Sequence, residues 1–519
     1  MRGIVLSALL VAGALVTAGA CAPSAPSRDE LVVILDTDAP VPSWVDHLHV
    51  EVYDAAGTSL VSQRDYAFPD PADWPFSFGM HPSSGEGGVA ARLRVRAYNS
   101  TRPISIWSAA VSGATFAPGD PDGYDPVYTI DRVVNVATAQ GSGVVQARIT
   151  LRGDCLGVPA DVVAGTTCLD TPGQSVPAPV EAVAPFSTTV APSVVGSWAA
   201  AAPVDCTVAA RAESGAYDEE LSVPGGIYVM GDARDDHAIP DVGNMLEYPE
   251  RIVQVSPFLF DRYEVSVGRF RAAMQDATNP FVPPTEPNVP DAPVDCGDEV
   301  NYRFCTWRGA AATPDATLDA LPLNCVDDTT AQAFCQWEGG DLPSEAQWEY
   351  AAAQAFREVK SFYPWAEATV SCDIASYGRW NVDLQTGECG HGVECGLLPV
   401  NAPFGGGPAS PDCTGADCAR DVTPAPPGHG GFVGLAGNVS EWVLDYNFAF
   451  DAPCWQNAPR LDPVCSDTTD NPTRMYRGGS WMTAGLLTAN SLRTGGIAEA
   501  PLLAQYGAVG FRCARKGTK

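Results

Sequence analysis

Proline and glycine set the first limit on what this chain can fold into. There are 45 Pro and 50 Gly among 519 residues, and each interrupts regular structure for its own reason. Proline lacks the backbone donor that a helix needs and clashes with the preceding turn, whereas glycine loses the most backbone freedom when it is fixed. Long helices are therefore not expected, and a loop-rich architecture with many turns is. A length of 519 residues also exceeds what one hydrophobic core usually supports, so two or three domains are expected.

The chain opens with Arg2 and an almost unbroken apolar run from Ile4 to Ala20. Residues 1–20 read as a secretory signal, too short for a comfortable membrane span. Ala18-Gly19-Ala20 satisfies the small-x-small rule of ordinary cleavage. Cys21, directly behind it, resembles the acceptor of a bacterial lipoprotein, with Ala18 standing where a leucine is usual. An "APSAPS" run makes residues 21–30 a tether. The expectation is an exported protein held by a lipid on Cys21 at the bacterial outer membrane or cell surface, or otherwise periplasmic or extracellular.

Export decides how the 16 cysteines are read, because an oxidising compartment favours disulfides. Setting Cys21 aside leaves an odd number, which means one unpaired thiol, a partner chain, or a Cys21 that is not lipidated. Cys413 with Cys418, and Cys454 with Cys465, are near enough in sequence to staple single loops. The 62 acidic against 30 basic residues give a formal charge of -32, which repels phosphate backbones and anionic lipid. Nucleic acid is excluded as a partner on that ground, and membrane contact is left to the lipid anchor.

Residues 31–152 read as strands, from "LVVIL", "HLHVEVY", "ARLRVRAY" and "VVQARITLRG", and are expected to form a β-sandwich of the immunoglobulin or transthyretin type. His47 and His49 would face the same way on a strand, but with no third ligand beside them they read as ordinary strand-face histidines. Residues 153–205 are rich in Pro, Ala, Ser and Val and read as an extended, weakly structured linker pinned by Cys155, Cys168 and Cys206. In residues 206–519 two helices carry clear start signals. Ser266 caps "SVGRFRAAMQDA", with Phe270 and Met274 on one face, and Ser344 with Gln347 forms a capping box before "AQWEYAAAQAF". A short helix in "TTAQAFCQWEGG" is expected to stop at Gly339 and Gly340.

Seven motifs follow one another in this second part: "GGIYVMGD", "PFLFDRYEVSVGRFRAAM", "NCVDDTTAQAFCQWEGGDLPSEAQWEYAAA", "YPW", "GLAGNVSEWVLDY", "RGGSW" and "GAVGFRCAR". Together, over residues 221–515, the chain resembles the formylglycine-generating enzyme or sulfatase-modifying factor family. The resemblance implies an α+β fold: a variant of the C-type lectin fold, here preceded by the β-sandwich. It also implies a disulfide between Cys335 and Cys513.

Active members of that family bind copper(I) through two cysteines shortly after the Gly-Gly-Ser-aromatic element and oxidise a sulfatase cysteine to formylglycine. Soft thiolates are what copper(I) prefers. Here the two positions fall on Thr483 and Thr488, and no cysteine occurs between Cys465 and Cys513. A threonine hydroxyl neither ligates soft copper well nor cycles through oxidation, so copper is not expected and the oxidase chemistry is expected to be absent. The resemblance further implies a calcium ion on the carbonyls of Gly437 and Val439 and the carboxylate of Glu441, with Gly434 at a fourth ligand position. Asp373 and Ile374 resemble part of a second calcium site.

The sequence therefore points to a non-catalytic module binding a protein or glycan ligand. Its recognition face would include residues 483–496, with Trp481, Met482, Asn490 and Arg493, and the insertion 372–418. The alternative is a formylglycine-generating oxidase, or a related oxidoreductase, that uses displaced ligands. No Walker loop, HExxH or GxSxG element and no HxxxHxE triad is present to support another enzyme class.

Overall fold

The computed structural model describes residues 5–7, 29–82, 87–100, 126–189, 191–213, 215–231, 250–276, 279, 305–307, 316–357, 360–365, 374–379, 396–401, 421–424, 430–469, 473–483, 490, 493 and 507–518. Cys21, Asp373, Cys413, Cys418 and Thr488 lie outside the described residues. The chain divides into two compact units, Met1–Ala202 and Pro203–Lys519.

The first unit is built from two sheets. In one, Glu30–Thr37 lies between Phe76–His81, antiparallel, and Val144–Leu151, parallel. Ala184–Pro185 forms one edge, and Val5–Ser7, within the stretch read as a signal, pairs at the other. In the other, Leu60–Ala67, His47–Tyr53, Ala90–Tyr98 and Thr129–Ala137 pair antiparallel in that order. Alternate residues of each strand point the same way, so Leu31, Val33 and Leu35 form one buried row, and Leu48, Val50 and Val52 another. Burial of each such side chain is worth about 1.5–3 kcal/mol, which is what holds the register against a one-residue slip.

Residues 153–202 are not the extended linker that their composition suggests; they belong to the first unit. The cause is a pair of buried carboxylates at the end of the central strand. Asp36 accepts hydrogen bonds from Ser193 Oγ at 2.7 Å, Val194 N at 3.1 Å and Arg148 at 2.6 Å. Asp38 accepts from Gly153 N at 2.6 Å, and its carbonyl accepts from Trp198 N at 2.9 Å. A buried carboxylate without donors is costly, so the segment is drawn onto the sheets by the groups it satisfies. Trp198 packs flat over Gly153, where a Cβ would come within 2.1 Å of the indole. Cys155 is bridged to Cys168, whereas Cys206 lies in the second unit and carries an unbridged thiol.

The second unit has short sheets and short helices joined by long connections. Glu220–Val223, Phe258–Asp261 and Ala514–Lys516 form one sheet, Gly226–Met230 and Arg251–Val255 a second, and Arg474–Arg477, Ser440–Tyr446 and Val509–Gly510 a third. Helix Val267–Met274 is capped by Ser266 and buries Phe270, while helix Asp328–Trp337 is capped by Asp327 and followed by Gly339 at φ 84°. Ser344 and Gln347 form the reciprocal capping box at helix Glu345–Glu349. That helix does not run on as the pattern suggests: Tyr350–Gln354 relaxes into a π turn. The following chain captures its carbonyls, Arg357 reaching Ala352 O at 2.8 Å and Ser361 N reaching Ala353 O at 2.8 Å.

Cys335 is bridged to Cys513, Cys305 to Cys325 and Cys454 to Cys465. The first of these ties helix Asp328–Trp337 to the C-terminal strand inside a core of Phe270, Trp307, Phe334 and Phe511.

If residues 153–202 are an integral layer of the first unit, Trp198→Ala should lower that unit's stability by about 3–5 kcal/mol and open the segment to proteases. Urea unfolding and limited proteolysis of the full chain would check both effects. A segment equally resistant in the variant would contradict this packing.

Candidate functional site

Strand Ser440–Tyr446 brings three distant motifs together, because Glu441 is opposite Arg477 on one side and Gly510 on the other. Its carboxylate is fully committed. Arg512 donates to it from Nη2 at 2.6 Å and from Nε at 2.7 Å, and Trp348 Nε1 donates at 2.7 Å. The same guanidinium reaches the carbonyls of Asp261, Arg262 and Val433 at 3.1, 3.0 and 2.8 Å. Burial works against the charge of Arg512, but Glu441, with Glu264 and Asp261, outweighs it and raises the guanidinium. The oxygens of Glu441 that the expected calcium ion would take are thus held by a cation and an indole.

Glu264, against the turn at Gly434, keeps an open oxygen. It is buried, its Oε1 accepts from Asn438 Nδ2 at 3.1 Å, and its Oε2 has no hydrogen-bond partner. Burial pushes it well above the usual carboxylate range, Arg512 opposing and Glu441 adding to the shift. Gly434 makes the room: a Cβ there would fall 2.7 Å from Glu264 Oε1. Asp421 reaches the same turn from another segment, its carboxylate accepting from Ala436 N at 3.2 Å, and burial lifts it to about 7. An orphaned buried carboxylate beside a glycine-rich turn is what a hard cation would satisfy, so the neighbourhood fits calcium through Glu264 in place of Glu441. Ile374 is half-buried in the adjoining segment.

Asn438 holds this turn in place. Its φ of 68° is in the left-handed region, where asparagine is tolerated better than most residues. Its N–H donates to Ser376 O at 2.8 Å, its carbonyl accepts from Trp481 N at 2.9 Å, and its side chain pairs with both backbone groups of Leu398. Trp481 is thereby fixed against Leu397 and Val439.

Two residues on, Thr483 occupies the first position where the family resemblance calls for a thiolate. Its hydroxyl accepts from Ser480 N at 2.9 Å and donates to Ser480 O at 2.9 Å, closing a turn on itself. Its carbonyl is taken by Gly378 N at 2.8 Å. The described residues do not fit copper(I): the hydroxyl is hard and engaged, and Cys513 and Cys465 are bridged elsewhere.

The sulfatase-modifying factor enzyme 1-like domain family matches residues 206–517. The chain belongs to that family. The formylglycine-generating enzyme of Thermomonospora curvata is 29% identical over 282 residues, which is 50% of this chain and 82% of that protein. The inactive C-alpha-formylglycine-generating enzyme 2 of Mus musculus is 26% identical over 315 residues, 57% of this chain and 84% of that one. Among solved structures, PvdO from Pseudomonas aeruginosa aligns with 58% of this chain and 94% of its own at 21% identity and a TM-score of 0.36.

In this sulfatase-modifying-factor-like domain the floor beneath the "RGGSW" loop is a buried ion-pair network that its sequence did not announce. Arg477 donates to Glu349 Oε2 at 2.6 Å and lies 3.3 Å from Glu345 Oε1. Arg493 donates to Glu345 from Nη2 at 3.0 Å, and Lys360 to Glu349 at 2.8 Å. Asn490 is clasped between Arg477, which donates to its carbonyl at 2.8 Å, and Phe362 O, which accepts its N–H at 2.9 Å. Trp481, Asn490 and Arg493 are only 3%, 1% and 3% exposed, so they anchor the loop and do not form the recognition face expected of them. Met482 is half-buried. The one hint in the sequence was Glu345 and Glu349 four apart on a helix face that is otherwise apolar.

Asp445 closes the network from the strand side, accepting from Glu345 N at 2.6 Å and Cys465 N at 2.7 Å. Burial and the neighbouring Glu345 lift it to about 7, above the ordinary 3.8. A carboxyl raised in the fold contributes its stability at low pH and loses it as pH climbs through the folded value. Thermal stability of the second unit should therefore fall as pH rises from about 4 to about 7, and the slope should flatten in Asp445→Asn. Melting curves of both proteins across that range provide the check. An unchanged slope in the variant would remove Asp445 from the account.

Proposed function

We propose that this chain is a non-catalytic member of its family, in which the domain at residues 206–517 binds a protein or glycan ligand instead of oxidising a sulfatase cysteine. The observation that carries the reading is Thr483. Where the oxidase would need its first thiolate, the chain has a hydroxyl closed into a turn with Ser480, and no cysteine lies between Cys465 and Cys513. The frame around it is kept: Asn438, Arg512 and the Arg477 network rigidly support a loop that no longer has soft ligands to present. A rigid scaffold with exchangeable loops suits recognition.

Calcium is part of the proposal, as an ion holding the turn from Gly434 to Val439 through Glu264 and backbone carbonyls of Gly434, Gly437 and Val439. The unpartnered oxygen of Glu264 supports it. The leader and Cys21 support export with a lipid anchor.

Incubation of the purified full chain with copper(I), oxygen and a sulfatase-type cysteine peptide should yield no aldehyde by mass spectrometry, and turnover would overturn the non-catalytic reading. Calcium at about a hundredfold its dissociation constant should stabilise the second unit by about 2.7 kcal/mol. A calorimetric scan should lose that gain in Glu264→Gln, and a gain kept in the variant would rule out Glu264 as a ligand. Cys21→Ser should abolish acyl mass and membrane retention; an unacylated wild-type protein would disprove the anchor.

A further inference from the structure

We propose that His49 is a pH-sensitive latch in the first unit, holding the edge strand Leu60–Ala67 onto its sheet and letting that strand loosen in alkaline solution. The register sets His49 between Asp65 on the edge strand and Arg96 on the other neighbour. The imidazole is 1% exposed, with Nδ1 2.5 Å from Asp65 Oδ1. Its Nε2 is 3.9 Å from Glu51 Oε1 and makes no hydrogen bond. Glu51 in turn lies 3.0 Å from Arg96 and 3.9 Å from Arg94, Tyr53 donates to it at 3.1 Å, and Arg94 is bound to Asp131 at 2.7 Å.

Among the described residues the groups facing His49 are thus Glu51 and Tyr53 from its own strand, Asp65 from the edge strand, Arg94, Arg96 and Tyr98 from the next, and Asp131 beyond. His47, on the same face, is bound to Asp46 at 2.8 Å. Among the described residues His49 is the cation that meets Asp65, whereas Glu51 and Asp131 each meet an arginine. When the imidazole loses its proton, the contact between its Nδ1 and Asp65 Oδ1 loses its charge assistance. Glu51 and Asp131 keep their arginines. Asp65, whose side chain is 57% exposed, is the one with a route to water.

The strand it belongs to is also the weakest member of the sheet. Among the described residues Leu60–Ala67 pairs with His47–Tyr53 alone, and most of its side chains are exposed. Burial works against the charge on His49, but Glu51 and Asp65 outweigh it and hold the ring above the ordinary 6.5. The stabilisation is therefore complete below that value and lost as pH rises through the elevated one.

Hydrogen exchange of the full chain at pH about 5.5 and about 8.5, corrected for intrinsic rates, should show residues 60–67 losing protection at the higher pH. The loss should be about tenfold for each unit by which His49 is raised. Residues 90–98 should keep their protection. In His49→Gln the protection of 60–67 should no longer depend on pH. Equal pH dependence in the variant, or none in the wild type, would overturn the latch. Should the variant fail to fold, the imidazole of the wild type decides the matter by its NMR titration: a midpoint above 6.5 supports the latch, and one at or below 6.5 rules it out.

Discussion

The buried pair between Arg512 and Glu441 is the constraint on which the rest of the second unit depends. A guanidinium has five donors in a fixed plane, and here they join the carboxylate of Glu441 to the carbonyls of Asp261, Arg262 and Val433. Those groups come from separate stretches of a chain with little regular secondary structure to align them. Where sheets are two or three short strands, the ladder cannot fix long connections, and buried charge does so instead. Loss of one partner in such a pair generally costs about 3–5 kcal/mol, because the other is left buried and unbalanced. That asymmetry makes the pair a determinant of one arrangement even where its net contribution to stability is small.

The same commitment changes how the neighbouring turn is read. With Glu441 taken by Arg512 and Trp348, the carboxylate open to an ion is Glu264, brought in from a strand end far away in sequence and admitted by the missing side chain at Gly434. Asn438 then passes the order of that turn to Trp481, and Trp481 to the loop in which Thr483 closes on Ser480. The frame needs hydrogen bonds and ion pairs, which threonine does not disturb; copper would need sulfur, which is absent from the loop.

A similar principle operates in the first unit, where Asp36 and Asp38 draw a Pro- and Ala-rich segment onto the sheets. In both units polar groups withdrawn from water recruit chain that hydrophobic patterning alone would leave loose.

Much was legible in the sequence. The strands around Val33, Val50 and Val95 follow from alternation, the caps at Ser266 and Ser344 from side chains that reach only their own helix, and the family from seven motifs in order. The loss of the thiolates was legible too, since a missing atom type needs no coordinates. What the sequence did not contain was partner choice over long separations. Whether Glu441 takes an ion or Arg512, whether Arg493 and Asn490 face a ligand or Glu345 and Phe362, and whether residues 153–202 hang free or cover Asp36 depend on which groups meet when the chain is compact. Local propensity acts over a few residues and fixed the elements. The cost of burying an unpaired charge acts through space, so only the tertiary structure decided which groups were paired and that one oxygen of Glu264 has no hydrogen-bond partner.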